Sequence, residues 1–341
     1  MMKMGKPNIS TFLVSVLSAA LLASCSKDTG TEPSRGREDV VFTVMPQIVA
    51  GYENIPSTYS SDKVRTDNVS ATDYRQRYIL EAWSEDGNTK QYREVKITEI
   101  GGDAPVFSPR LLSAKYKMAV WADFVTAASV TAGTPAGSTD LFYQTDNLTD
   151  ITVLKADFSN DAKDAYAAAF DADLTGSGLS LAVTLRRPLA KIRLVALDAD
   201  KANSNAGLDD CTASLVYSNC ANRSYNALDG NVTDSGSASG SSDYFSVGND
   251  YGSAYGPSPA TDNHSQTLAW DYVFVPAGGM QTDLTIQLKN GSQSNITLPS
   301  ASDGSATSKP IKGVTLKPNT LTTAVGYFFT PVETVTPEGG N

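Results

Sequence analysis

A run of alternating residues with one proline in its middle, Leu179 to Leu197, is the feature that most constrains the fold of this chain. Apolar side chains occupy every second position before Pro188 and again after it. A period of two indicates a strand, because successive side chains of a strand point to opposite faces. Proline lacks the N–H that the middle of a ladder needs, so it marks a bend. We therefore predict one long strand, kinked at Arg187–Pro188, that runs along two sheets of a sandwich.

Strand-like runs separated by turn residues fill most of the remaining chain and predict an all-β protein. Its 341 residues suggest two domains. We place an N-terminal β-sandwich at residues 39–197, a C-terminal β-sandwich at residues 198–330, and a flexible tail at residues 331–341. One short helix is predicted at Ser159–Phe170, because its alanines favour a helix and Ser159 or Asn160 can cap it.

The N-terminus is predicted to be a lipoprotein signal peptide, residues 1–24. Two lysines precede an apolar run, Thr11–Ala23, that is too short to span a bilayer as a mature helix. The ending Leu-Ala-Ser-Cys resembles a bacterial lipobox, which implies cleavage before Cys25 and acylation of that residue, for example with palmitate. Several acyl chains anchor a protein stably. Residues 25–38 are then a lipidated tether; the alternative is an ordinary secretory signal with a chance cysteine.

Charge and composition exclude several functions. With 27 Lys and Arg against 37 Asp and Glu, the net charge of −10 does not attract nucleic acid. The presence of only one His and three Cys counts against a zinc site, which needs clustered His and Cys ligands. His264 lies among polar residues, where an exposed loop side chain is the usual role and a Ser–His–Asp triad of a hydrolase is the alternative. The sequence contains no G-x-S-x-G elbow, no P-loop and no H-E-x-x-H motif. We predict no enzyme activity, no cofactor and no metal. The carboxylates of Asp198, Asp200, Asp209 and Asp210 could bind calcium, but they lack the spacing of a known calcium loop, so we interpret them as a solvated acidic linker.

Two further groups of residues have an open interpretation. Cys211 and Cys220 bracket a predicted strand, and an extended run between them would span roughly 30 Å. A disulfide needs Cα atoms within about 7 Å, so this pairing requires the chain to double back near Ser218–Asn219.

Trp83, Trp121 and Trp270 lie in strand patterns, where packing in the core is the usual role and sugar stacking is the alternative.

The order of several motifs resembles the fimbrillin-like lipoproteins of Bacteroidetes, which include major and minor fimbrial subunits. The lipobox and the first strand are followed by Arg187–Arg193, Leu215–Ser218, Ser224–Asn226, Tyr272–Phe274 and Leu316–Thr323, and then by Gly326 and Phe328. This resemblance covers most of the chain beyond Cys25. It implies two tandem transthyretin-like, Greek-key β-sandwich domains. It also implies export to the cell outer membrane, exposure on the surface, assembly into a fimbrium (pilus) and a role in cell adhesion.

The resemblance further implies assembly by exchange of strands. An Arg- or Lys-directed protease would remove the first strand, here Val40–Val49, and a strand of another fimbrial subunit would fill the groove. Lys63 and Arg65 are the candidate processing sites; their alternative interpretation is as solvated loop charges. Arg35 and Arg37 are competing sites, but a cut there would leave the strand in place.

The C-terminal end departs from the family pattern. After Phe329 only Val332 and Val335 are apolar, between prolines, where stalk subunits carry a longer apolar strand. An anchor, tip or accessory role therefore stays open, with a receptor on a host or bacterial surface as a further partner. The alternative function is a surface-exposed glycan-binding lipoprotein that does not polymerise.

Overall fold

A computed structural model describes most of the chain from Asp39 onward as β-structure. The described residues are 39–49, 51–52, 69–131, 140–154, 160–176, 179–202, 208, 211–219, 223–234, 240–241, 245–246, 266–290, 294–332 and 335–338. Within them lie twenty-two strands and one short α-helix, α1 (Ala127–Thr131). Two 3-10 turns occur at Asp161–Lys163 and Ala199–Lys201. The predicted all-β class is confirmed.

The strands fall in two groups along the chain. The first ten are β1 (Asp39–Val41), β2 (Thr43–Ile48), β3 (Tyr74–Ser84), β4 (Lys90–Thr98), β5 (Arg110–Leu112), β6 (Lys115–Thr126), β7 (Tyr143–Gln144), β8 (Ile151–Val153), β9 (Tyr166–Asp173) and β10 (Ser180–Leu185). The others are β11 (Leu189–Ala196), β12 (Cys211–Tyr217), β13 (Arg223–Tyr225), β14 (Val232–Asp234), β15 (Gly240–Ser241), β16 (Phe245–Ser246), β17 (Gln266–Phe274), β18 (Met280–Asn290), β19 (Ser294–Asn295), β20 (Ser308–Leu316), β21 (Leu321–Gly326) and β22 (Val335–Glu338).

Three larger sheets and three smaller groupings account for these strands. One sheet has the order β4-β3-β6-β9, and a second has the order β17-β11-β21-β22. The third has the order β15-β12-β18-β19, with β16 also paired to β12 and β20 to β18. The smaller groupings are β14-β13-β8-β7, the pair β1-β5 and the pair β2-β10.

Strand alternation builds the cores. On β6, Met118, Val120 and Ala122 enter one hydrophobic cluster, whereas Ala119 and Trp121 enter another. The sheet that contains β6 is thus buried on both faces, as expected for a strand with a nearly continuous apolar sequence. A third cluster fills the space beside β11, β12, β17, β18 and β20.

The kink predicted at Arg187–Pro188 is present. The chain ends β10 at Leu185, passes through Pro188 and starts β11 at Leu189. The strand β10 pairs with β2, whereas β11 pairs with β17 and β21, so the two halves belong to different sheets. The proposed domain boundary at residues 197/198 stays a prediction, although β11 on its N-terminal side pairs with strands from its C-terminal side.

Two local predictions are wrong. The stretch predicted as a helix, Ser159–Phe170, contains a 3-10 turn and then the first half of β9. Alanine is favourable in helices by less than about 1 kcal/mol per residue, and pairing with β6 outweighs that preference. The tail at residues 331–341, predicted to be flexible, contains β22, which pairs with β21.

In the part of the chain that the structure describes, no helix is long and apolar enough to cross a membrane.

Candidate functional site

The segment formed by β1 and β2, called the first strand below (Asp39–Ile48), lies between two neighbours. Its first part pairs antiparallel with β5, from Asp39 opposite Leu112 to Val41 opposite Arg110. Its second part pairs parallel with β10. Val44 continues the contact on the β5 side, because it exchanges backbone hydrogen bonds of 3.0 and 2.9 Å with Phe107. The first strand is therefore central, and its absence would leave two unpaired strand edges.

Alternate side chains of the first strand fill the core below it. Phe42 is 1% exposed and Val44 is fully buried, and Pro46 is buried as well. Phe42 and Val44 share a hydrophobic cluster with Leu80, Val120 and other residues of β3, β6 and β10. Burial of one side chain of this size contributes about 1.5–3 kcal/mol to the free energy of folding. The pockets that hold these three side chains therefore provide much of the attachment of the first strand.

The position of Pro46 fits the hydrogen-bond pattern of the first strand. Thr43 and Val49 donate their N–H groups to carbonyls at Leu179 and Leu185, on the β10 side. Because N–H groups alternate in direction along a strand, the nitrogen of residue 46 faces the opposite side. A proline there costs no hydrogen bond to β10.

Tyr52, just beyond the first strand, occupies a socket formed by Arg187, Tyr272 and Leu321. The Arg187 guanidinium carbon lies 4.0 Å from the centre of the Tyr52 ring. The Tyr52 hydroxyl donates a 3.4 Å hydrogen bond to the Tyr272 hydroxyl. Tyr52 is 9% exposed and packs with Leu321 of β21. Tyr52 thus fixes the chain at residues 51–52, just after the first strand.

Arg187 is itself part of a buried polar network. Its Nε lies 2.8 Å from both carboxylate oxygens of Asp164, and its terminal nitrogens donate to Tyr166 and Asn319 at 2.9 and 3.2 Å. Tyr166 also donates a 2.7 Å hydrogen bond to Asp164. A buried ion pair needs such additional bonds, because both charges have lost their water.

Two more buried ion pairs connect the Asp161–Lys163 turn to β11 and β17. Lys191 lies 2.7 Å from Asp161, which also accepts a 3.0 Å hydrogen bond from Tyr272. Lys163 lies 2.7 Å from Asp271. Each pair joins residues that are distant in sequence, so these bonds fix the turn against the sheet of β11 and β17.

Burial dominates the ionisation of this network. It raises the pKa of Asp164 above its usual value, although Arg187 acts in the opposite direction. It lowers the pKa of Lys191, although Asp161 opposes the change. The pKa of Tyr52 is raised, first by burial and then by Asp164. Tyr52 is therefore a neutral hydrogen-bond donor near neutral pH.

A second anchoring point lies before β22, at Asp198. The interpretation of this residue as part of a solvated linker is wrong, because Asp198 is 4% exposed. Asp198 accepts hydrogen bonds from the backbone N–H groups of Phe328, Phe329 and Thr330 at 2.8, 3.0 and 2.8 Å, and from the Thr330 hydroxyl at 2.6 Å. The Lys309 ammonium donates to the Tyr327 carbonyl at 2.6 Å from the other side. The start of the C-terminal segment is thereby fixed to the sandwich.

Most of the site residues predicted from the sequence lie outside the described residues. These are Cys25, Lys63, Arg65, Cys220 and His264. Cys211 is buried at the start of β12. Because Cys220 is outside the described part, the disulfide between the two cysteines stays a prediction.

The three tryptophans are placed in the core or partly in it. Trp121 is fully buried and Trp83 is 6% exposed, while Trp270 is partly buried. The alternative role as open sugar-stacking platforms therefore does not fit Trp83 or Trp121.

In the described residues, no group of three or more His, Cys, Asp or Glu is arranged to hold a metal ion.

Sequence analysis missed Tyr52, Asp161 and Asp164. Tyr52 was assigned to no strand or site, and the two aspartates were included in the predicted helix. The available signal for Tyr52 is a large aromatic residue just beyond the predicted first strand, ten positions after Phe42.

Comparison with known proteins gives one family and several solved structures. Residues 39–336 match the model of a family described as a family of unknown function, DUF6562. A search of curated proteins finds no match.

The structural matches have low sequence identity. A "putative cell adhesion protein" from Parabacteroides distasonis is 10% identical, with 89% of this chain and 93% of that chain covered and a TM-score of 0.45. A fimbrial assembly protein from the same species is 11% identical, with 85% and 91% covered and a TM-score of 0.36. The fimbrial anchor protein Mfa2 from Porphyromonas gingivalis is 13% identical, with 73% and 78% covered and a TM-score of 0.40.

Proposed function

The chain belongs to the DUF6562 family of unknown function, and we propose that it is a cell-surface fimbrial subunit, or an accessory or anchor protein of a fimbrium. In this proposal it joins other fimbrial subunits by exchange of strands and supports adhesion. Its role is structural and not enzymatic. Acylated Cys25 attaches it to the outer membrane.

The central position of the first strand is the observation that carries this proposal. The strand contributes Phe42, Val44 and Pro46 to the core, yet its neighbours β5 and β10 belong to later parts of the chain. Its removal would expose a groove with apolar pockets between two unpaired edges. Such a groove accepts an added strand, because backbone hydrogen bonds provide affinity and alternate side chains provide specificity.

The position of the candidate cut sites supports the same proposal. The first strand ends at Ile48, and the next strand within the described residues, β3, begins at Tyr74. A cut at Lys63 or Arg65 severs the first strand from all later strands. A cut at Arg35 or Arg37 leaves it covalently attached. Only the first kind of cut can free the groove.

The glycan-binding alternative has less support. It needs exposed aromatic platforms, and Trp83 and Trp121 are buried. A glycan array is a direct test: specific binding that survives removal of the first strand would favour this alternative over strand exchange.

The decisive experiment is limited proteolysis of the purified chain with trypsin, followed by mass spectrometry and size-exclusion chromatography. We expect a cut at Lys63 or Arg65 to produce loss of the first strand and self-association or binding of another subunit. The matched control is the Lys63→Gln/Arg65→Gln double variant, which should keep its first strand and should not self-associate after trypsin treatment. The Arg35→Gln/Arg37→Gln double variant should lose the first strand and associate as the parent does. A chain that loses its first strand and binds no added subunit contradicts the proposal.

A further inference from the structure

The Tyr52 socket offers a recognition site beyond the groove itself. It is formed by Arg187 from the segment between β10 and β11, Tyr272 from β17 and Leu321 from β21. These three residues are not members of the hydrophobic cluster that holds Phe42 and Val44, which is built from β3, β5, β6, β9 and β10. Tyr166 of β9 lies between the two, since it belongs to that cluster and accepts a hydrogen bond from Arg187. The socket is therefore a separate subsite at the end of the first strand.

The socket is complementary to a phenolic ring in two ways. On one side of the socket, the guanidinium carbon of Arg187 lies 4.0 Å from the centre of the Tyr52 ring. Such a contact between a cation and an aromatic ring is strongest where water is excluded. Its Tyr272 hydroxyl accepts a hydrogen bond from the Tyr52 hydroxyl and passes a bond on to Asp161. An aliphatic side chain can supply neither interaction.

Release of the first strand would also remove Tyr52, since it lies on the same side of Lys63 and Arg65. Arg187 would then lose the ring that covers it, while it remains tied to Asp164, Tyr166 and Asn319. A rigid, partly uncovered guanidinium next to an apolar leucine favours occupation by another aromatic ring.

We infer that the socket of Arg187, Tyr272 and Leu321 selects the incoming strand, and that it takes a tyrosine placed about ten positions after the first large apolar residue. This inference rests on the proposed exchange of strands and adds the chemistry by which one strand is preferred to another. The partner is a polypeptide strand whose inward positions repeat the spacing of Phe42, Val44 and Tyr52.

The test uses the full chain with a recognition sequence for a site-specific protease inserted between residues 53 and 68. After cleavage, labelled synthetic peptides of residues 39–52 compete at equilibrium with the severed strand, and binding is measured by fluorescence anisotropy. The protein is identical in every arm, so differences in folding do not enter. The peptides are the parent, Tyr52→Phe, Tyr52→Leu, Val44→Asp and Gln47→Ala.

We expect Tyr52→Leu to bind about 30-fold more weakly than the parent, which is typical of a side chain lost from a buried pocket at an interface. The Tyr52→Phe peptide should bind about threefold more weakly than the parent peptide, because only one long hydrogen bond is removed. Gln47→Ala, at an exposed position, should bind as the parent does.

The outcomes separate the two proposals. If the parent binds, Val44→Asp does not, and Tyr52→Leu binds as the parent does, the socket inference is overturned while strand exchange stands. If the parent peptide does not enter the cleaved chain, strand exchange fails and the socket inference fails with it.

Discussion

The carboxylate of Asp198 accepts four hydrogen bonds from the segment 328–330, and two of them come from Thr330, 132 positions away in the sequence. This one side chain fixes the path of the chain before β22. We expect Asp198→Ala to lower the free energy of unfolding by about 3 kcal/mol, since several buried N–H groups lose their partner. Urea unfolding measures the change. The control is Asp200→Ala, at an exposed position, which should stay within about 0.5 kcal/mol of the parent.

The buried pair of Lys163 and Asp271 gives a second prediction. Asp271→Leu leaves a buried ammonium without its carboxylate and should destabilise the chain by about 3–5 kcal/mol. The double variant Lys163→Met/Asp271→Leu should recover part of this loss, because no unpaired charge remains. Thermal and urea unfolding of the parent, both single variants and the double variant measure the coupling. If the destabilisation of the double variant equalled the sum of the destabilisations of the two single variants, this account of the pair would be contradicted.

High pH should destabilise the protein through its buried tyrosines. Burial raises the pKa of Tyr143, Tyr166 and Tyr272, and it raises the pKa of Tyr225 to about 12. In the unfolded chain tyrosine ionises near pH 10, so the folded chain retains protons that the unfolded chain releases. The stabilisation is complete below about pH 10 and is lost as the pH rises towards the folded values.

Urea unfolding at a series of pH values, with tyrosinate absorbance as the second readout, checks this prediction. Tyr225→Phe should reduce the slope of stability against pH above about pH 10, because it removes one of the titrating groups. A parent protein whose tyrosines all ionise near pH 10 before unfolding would contradict the prediction.

Several parts of the fold could be predicted from the sequence, because they depend on local pattern. Period-two alternation with Pro188 in its middle was enough to predict β10, the bend and β11. The same reasoning failed at residues 165–169, where alanines favour a helix in isolation. In the structure Ala167 lies opposite Trp121 on β6, and a small residue leaves room for the indole ring. That partner is distant in sequence, so local preference could not identify it.

The candidate site was predictable in its strand but not in its socket. Val40–Val49 was identified from its alternation, and the observed strands end within two residues of those bounds. Tyr52 could not be assigned, because its partners Arg187, Tyr272 and Leu321 come together only through the pairing of β11 with β17 and β21. A socket of this kind depends on tertiary structure and leaves little trace in a single sequence.

Two neighbours in the first strand, Val41 and Phe42, provide a matched test of how that strand is held. Phe42 is 1% exposed in the groove, whereas Val41 is 48% exposed on the outer face. Phe42→Ala should leave a cavity and cost about 3–5 kcal/mol, while Val41→Ala should stay within about 0.5 kcal/mol of the parent. Since this loss concerns the first strand and not the rest of the core, hydrogen exchange at Thr43–Ile48 should accelerate well before exchange in β3 and β6. If Phe42→Ala instead accelerates exchange equally in all three strands, the first strand unfolds together with the body and cannot leave the groove on its own.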